Sequence, residues 1–255
     1  MNGVHLEMSK FMVSRVGLGL SIIFLFALSG CGGGRSAGSE ERVYSHTVKP
    51  GESISDIADD YYGDPDRADA LMTYNEVSEE LLEPGTVIRI PMGDEDIAQL
   101  KVRERARAPY NRGLSLAENG SYLDAIQQFQ TSLSVDPAFV DARYNLGVTF
   151  QKMKSYEKAR EEFRRVVRER PKKAEYHFAL GNSNFYLEEY RDASNAFEDV
   201  MELDHMHAKA QYSLAVCYEK MGDVDEAKAA WQRYLEIDAH SVWATEARKR
   251  LSELE

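Results

Sequence analysis

Apolar residues follow three regimes along the chain. An apolar stretch, Val16 to Leu28, comes first, a mixed strand-and-helix pattern occupies residues 44–91, and from Asp94 onward only helical spacing remains. In the middle regime His46, Thr47 and Val48 have strand propensity, and Pro50-Gly51 breaks the strand. Ser53 is placed to cap a helix with apolar positions Ile54, Ile57, Ala58 and Tyr61, which Gly63-Asp64-Pro65 ends. A second apolar series, Ala68, Leu71, Met72 and Tyr74, runs to Asn75, and Pro84-Gly85 turns the chain into a strand over Val87 to Ile90. The predicted order is strand, helix, helix, strand.

The third regime opens with the charged, helix-favouring stretch "DEDIAQLKVRERARA" and reaches Pro109, which is expected to start a new helix because proline fits only a first turn. Beyond it the chain repeats every 34 residues: Gly113, Gly147 and Gly181 are continued by Ala215, and Ala125, Ala159, Ala193 and Ala227 keep the same interval. So do Phe129, Phe163, Phe197 and Trp231, and Tyr122, Tyr156 and Tyr190, while Pro137 and Pro171 close units that begin near Ala106, Val140, Ala174 and Ala208. Small residues let paired helices approach, and the Phe129 series is expected to fill the space between units. "SVWATEARKRLSEL", with Val242, Trp243, Ala247, Leu251 and Leu254 on one side, is expected to cap the stack. The predicted fold is mainly α: a small α+β module at 44–92, a helical linker at 93–105, four helix-turn-helix units at 106–239 and a capping helix at 240–255.

The 34-residue columns strongly resemble the tetratricopeptide repeat, which implies an α-solenoid that binds a peptide or protein. The candidate groove has the column Tyr110, Tyr144, Phe178 and Tyr212, with Arg107, Asn111, Asn145 and Asn182 beside it. Rings supply contact area and amides pair with peptide groups; packing between helices is the other use such columns have. Arg107, Asn111 and Asn145 match part of the family's carboxylate clamp, but Glu175 and Ala179 stand where its basic residues would be needed.

"HTVKPGESISDIADDYYGD" and "LEPGTVIRIP" resemble the two ends of the LysM domain, in which two helices pack on a two-stranded antiparallel sheet. The resemblance implies binding of N-acetylglucosamine glycans, chiefly peptidoglycan, in a shallow groove. Its walls would be Gly51, Glu52, Ser53 and Ile54 on one side and Asn75, Val77 and Leu82 on the other. Gly51 gives backbone amides access to a sugar, Ser53 and Asn75 can hydrogen-bond its substituents, and Ile54 and Val77 can pack on an acetyl methyl. Capping, core packing and helix termination are the structural uses of Ser53, Ile54 and Asn75. This module has 11 acids against three bases, so it gets no electrostatic help toward a polymer that itself carries carboxylates.

Lys10 and Arg15 precede the apolar run, and "LSGC", Leu28 to Cys31, resembles the lipobox of bacterial lipoproteins. That resemblance implies a signal peptide at 1–30, lipidation of Cys31, a flexible leash through residue 43 and, with Gly32 after the cysteine, the outer membrane facing the periplasm.

A net charge of −12 without a Lys/Arg stripe argues against nucleic acid as a partner. Cys31 and Cys217 form neither a disulfide framework nor a metal pair, and Cys217 is expected to be a buried apolar residue. His205 and His207 lack a third ligand at a familiar spacing, and no catalytic triad or phosphate loop stands out; no metal, cofactor or enzymatic activity is expected. The expected function is a non-enzymatic envelope adaptor that holds peptidoglycan and a protein partner. The alternatives are an outer-membrane assembly factor for a pilus or secretion complex and, less favoured, an accessory subunit of a cell-wall enzyme.

Overall fold

The computed structural model describes residues 42–79 and 82–254. Cys31 and the predicted signal peptide lie outside the described residues, as does the leash up to residue 41. The described residues fall into two compact units, one running to Ala108 and including Val135–Phe139, the other made of Pro109–Ser134 and Val140 onward.

In the first unit, strands β1 (Arg42–Thr47) and β2 (Val87–Met92) pair antiparallel with Tyr44 opposite Ile90 and Ser45 opposite Arg89. Alternation along β2 buries Ile88, Ile90 and Met92 and leaves Val87 and Arg89 facing solvent. Helix α1 (Ile54–Tyr62) starts in a capping box in which Ser53 and Asp56 satisfy each other's backbone N–H groups. It stops at Gly63, whose left-handed φ of 73° suits glycine. A 3-10 turn, Pro65–Arg67, leads into α2 (Ala68–Asn75). Ile54, Ile57, Ala58, Tyr61 and Leu71 meet the inner face of the sheet in one core.

Helix α3 (Asp94–Glu118) corrects two expectations. Its first turns are not a bare linker, because Ile97 and Leu100 belong to the core of the first unit. Arg67 Nη1 meets Asp96 Oδ1 at 2.8 Å, and Arg103 donates to the Asp59 carbonyl at 2.8 Å. That guanidinium occupies the space a Cβ at Gly63 would need. Nor does Pro109 open a new helix: α3 runs through it. The missing N–H forfeits one hydrogen bond to the Arg105 carbonyl. Buried Ala106 and Tyr110 hold the helix on either side.

The second unit is a run of paired helices: the end of α3 with α4 (Tyr122–Val135), α5 (Val140–Lys152) with α6 (Tyr156–Glu169), α7 (Ala174–Tyr186) with α8 (Tyr190–Leu203), and α9 (Ala208–Met221) with α10 (Val224–Ile237). The glycine column explains the close pairing. A Cβ on Gly113, Gly147 or Gly181 would lie 2.7, 2.7 or 2.6 Å from Cε1 of Phe129, Phe163 or Phe197. Each Phe ring therefore lies on the glycine of its own unit, not between units as the sequence suggested. At the turn after each first helix, Gly120, Lys154, Glu188 and Gly222 take a left-handed φ, again 34 residues apart. Helix α11 (Val242–Glu253) packs through Ala244 and Ala247, with Leu251 and Leu254 partly covered. Val242 departs from the predicted apolar side and is 85% exposed.

Candidate functional site

The two loops expected to wall a groove in the first unit are pinned side by side. Val48 N–H donates to the Thr86 carbonyl at 2.9 Å, and Gly85 N–H to the Val48 carbonyl at 2.8 Å, extending the sheet ladder into both loops. Pro50-Gly51 forms a tight turn closed by Glu52 N–H to Lys49 O at 3.1 Å, with Gly51 at φ 76° and open space where a side chain would stand. Backbone approach is unobstructed there.

The predicted groove residues divide by what their side chains touch. Glu52 accepts from His46 Nε2 and from Lys49 N–H, both at 2.8 Å, so its carboxylate latches the turn to β1. Ser53 Oγ is engaged with Asp56 in the capping box. Ile54 is a correction: at 1% exposure its side chain is core and cannot reach a sugar, leaving its helix-start N–H as its contribution. Asn75 is another. Its amide donates to Leu71 O and Arg89 O, each at 2.8 Å, and accepts from Arg89 N–H at 2.7 Å, tying the end of α2 to the edge of β2. Val77 and Leu82 are half-buried against the core and keep one side toward solvent.

Beside them stands a pair the sequence reading missed. Arg89 on β2 lies over Tyr74, 5.4 Å from guanidinium carbon to ring centre, with Tyr74 39% exposed. Strand alternation marks Arg89 as outward-facing, but nothing local in sequence shows Tyr74 beneath it.

The same unit holds a half-buried ion pair. Arg107 Nη2 meets Asp60 Oδ1 at 2.9 Å, and burial raises the Asp60 pKa while Arg107 pulls against it. Arg107, predicted for the protein groove, is thereby half-buried in an ion pair of the first unit. Burial, with Asp60 next in weight, pushes the neighbouring Tyr61 hydroxyl up to about 12.

In the second unit the aromatic column is a packing device. Tyr110 meets Phe129 at 6.0 Å between ring centres, Tyr144 meets Phe163 at 5.6 Å, Phe178 meets Phe197 at 5.7 Å and Tyr212 meets Trp231 at 4.8 Å. The four rings are buried, which corrects the expected ladder of exposed aromatics. The reason is geometric: each first helix turns this column toward the Phe or Trp of its partner helix. Asn145 is buried too, donating to Tyr110 Oη at 3.1 Å and to the Asp141 carbonyl at 3.0 Å. Asn111 is exposed.

Asn182 differs from all of these. It is 1% exposed, and neither its amide nitrogen nor its oxygen has a hydrogen-bond partner. The equivalent positions 34 residues apart are Leu114, Val148 and Val216. Nearby, Gln151 reaches from α5 to α7, donating to Ala179 O at 3.0 Å and Ser183 Oγ at 2.9 Å, while its Oε1 is unpaired. Cys217 is a buried thiol that burial pushes up to about 12. Among the described residues no three His, Cys, Asp or Glu side chains are grouped to hold a metal.

Comparison with known proteins agrees with this architecture. The tetratricopeptide repeat model matches residues 110–174 and 178–242, together about half the chain, and the LysM domain model matches residues 46–91. An uncharacterized protein of Deinococcus radiodurans is 47% identical over 47 residues, 18% of this chain and 19% of that protein, so the match spans about a fifth of the relative. Among solved structures, MamA protein aligns with a TM-score of 0.54 at 25% identity, over 59% of this chain and 86% of its own. A tetratricopeptide repeat protein from Parabacteroides merdae aligns with a TM-score of 0.55 at 16% identity, over 60% of each chain, a likeness of fold alone.

Proposed function

Since the chain belongs to the tetratricopeptide-repeat family and carries a LysM domain ahead of the repeats, we propose that it is a non-enzymatic adaptor of the bacterial cell envelope. LysM domains bind glycans and tetratricopeptide arrays bind proteins, and neither is a catalytic module. The glycan is peptidoglycan, held between the loops that carry Gly51 and Ser53 on one side and Val77 and Leu82 on the other. The observation that carries this half is the pinning of both loops by Val48, Gly85 and Thr86, which presets the groove before a ligand arrives.

The protein partner meets the first helices of the array, the elements that carry the 34-residue columns. Burial of the Tyr110 series withholds those rings from an extended peptide, which favours a scaffold over an assembly factor that grips its client in an apolar groove. The lipobox resemblance supports a lipid anchor at Cys31 and an outer-membrane location facing the periplasm.

The test is cosedimentation of the full chain with purified peptidoglycan sacculi, in the presence and absence of soluble N-acetylglucosamine oligomers. Pelleting that the oligomers abolish is expected. Pelleting that they leave unchanged, or none at all, defeats the glycan half. Palmitate labelling in cells, lost in Cys31→Ser, checks the anchor.

A further inference from the structure

The solvent face of the two-stranded sheet carries a cation that no acid among the described residues takes up. Ser45 stands opposite Arg89 and Thr47 opposite Val87, and these side chains point away from the core that His46, Ile88 and Ile90 enter. Two apolar residues frame the face, Val43 at 39% and Val87 at 58% exposure. Both backbone groups of Arg89 are held by the Asn75 amide, its Nη2 donates to the Tyr74 carbonyl at 3.4 Å, and its guanidinium lies over the Tyr74 ring. The other two bases of the module have acidic neighbours: Lys49 Nζ is 3.6 Å from Glu52, and Arg67 is 2.8 Å from Asp96. Among the described residues no carboxylate lies within ion-pair distance of Arg89, although the module has 11 acids against three bases.

We propose that Arg89, backed by Tyr74, is a carboxylate subsite on the sheet face. It selects a carboxylate-bearing glycan such as peptidoglycan over a neutral N-acetylglucosamine polymer. This rests on the glycan-binding reading above and adds to it the chemical class that the module prefers. A guanidinium presents two parallel N–H donors to a carboxylate, and the aromatic ring beneath it keeps that fork in place when no ligand is bound. A strand rises about 3.3 Å per residue, so Arg89 lies about 10 Å along β2 from the Thr86 loop. A glycan in the groove can therefore lay an acidic substituent on Arg89 while its sugar face covers Val87. Without Arg89 the module presents an acidic surface that repels such a substituent.

The test measures binding isotherms of the full chain, Arg89→Ala and Arg89→Lys on peptidoglycan sacculi and, separately, on chitin. Arg89→Ala is expected to weaken sacculus binding about tenfold, in keeping with the loss of a charge-assisted hydrogen-bond pair. Chitin binding should stay unchanged and Arg89→Lys fall between. Retained chitin binding also shows that the variant is folded. Equal weakening on both polymers, or no weakening on sacculi, overturns the subsite while leaving glycan binding intact. If the unaltered chain holds neither polymer, the glycan reading and the subsite fall together.

Discussion

Replacing Asn182 with leucine should make the array more stable, against the usual direction of a core substitution. Asn182 is 1% exposed and both polar atoms of its amide are unpaired, whereas the same column holds Leu114, Val148 and Val216. An unsatisfied buried polar group costs about 1–3 kcal/mol. Leucine has the branching of asparagine, removes the penalty and adds apolar burial, so Asn182→Leu is expected to gain about 2–3 kcal/mol. For a unit of this size that is a rise of roughly 4–12 °C in Tm, readable by circular dichroism on heating, with urea unfolding as a second measure. Val148→Asn is the mirror experiment and should lose a similar amount. A lower Tm for Asn182→Leu would mean that the amide is engaged within the fold, and the reasoning from an unpaired buried amide would fail.

Gly147→Ala should destabilise the array by roughly 1–2 kcal/mol, because a Cβ 2.7 Å from the buried Phe163 ring overpacks the helix pair by more than the gain in helix propensity; thermal unfolding reads it. Asn75→Ala should lower the stability of the LysM module by about 1–3 kcal/mol, since two hydrogen bonds between α2 and β2 and one within α2 disappear; hydrogen exchange at β2 would report it, and unchanged protection there would free Asn75 for a sugar. The Asp238 carboxylate is held down to about 2, first by the Ser241 hydroxyl and then by Tyr234 and the backbone N–H groups of Ser241 and His240. A depressed acid contributes stability above its unfolded value near 3.8 and loses it as pH falls toward 2, so acid unfolding monitored over that window should be flatter in Asp238→Asn.

Legibility in the sequence followed from how directly a residue's neighbours along the chain determine its role. The 34-residue columns and the Ser53 cap were readable because helix pairing and capping are set by local spacing. The direction of the Tyr110 column was not, because spacing alone does not say which side of a helix meets its partner; a ring suited to a ligand is equally suited to Phe129. The turn column was hidden by chemistry, as Lys154 and Glu188 adopt a conformation that only Gly120 and Gly222 advertise. Asn75 looked like a helix terminator and a sugar donor, yet its amide mimics a strand's peptide group along β2. Pro109 looked like a boundary because its own backbone forbids one hydrogen bond, while the helix survives on the others.

The path of α3 bears on how such chains can be cut and recombined. Ile97 and Leu100 complete the core of the first unit, so a LysM fragment ending at Met92 would leave that core open, and a repeat fragment starting at Asp94 would carry two bare apolar side chains into water. The natural splice point lies within the helix, at Ala108-Pro109, where the division between units coincides with the hydrogen bond that proline already lacks. A graft made there must also carry Val135–Phe139, which belongs to the first unit although it follows α4 in the chain.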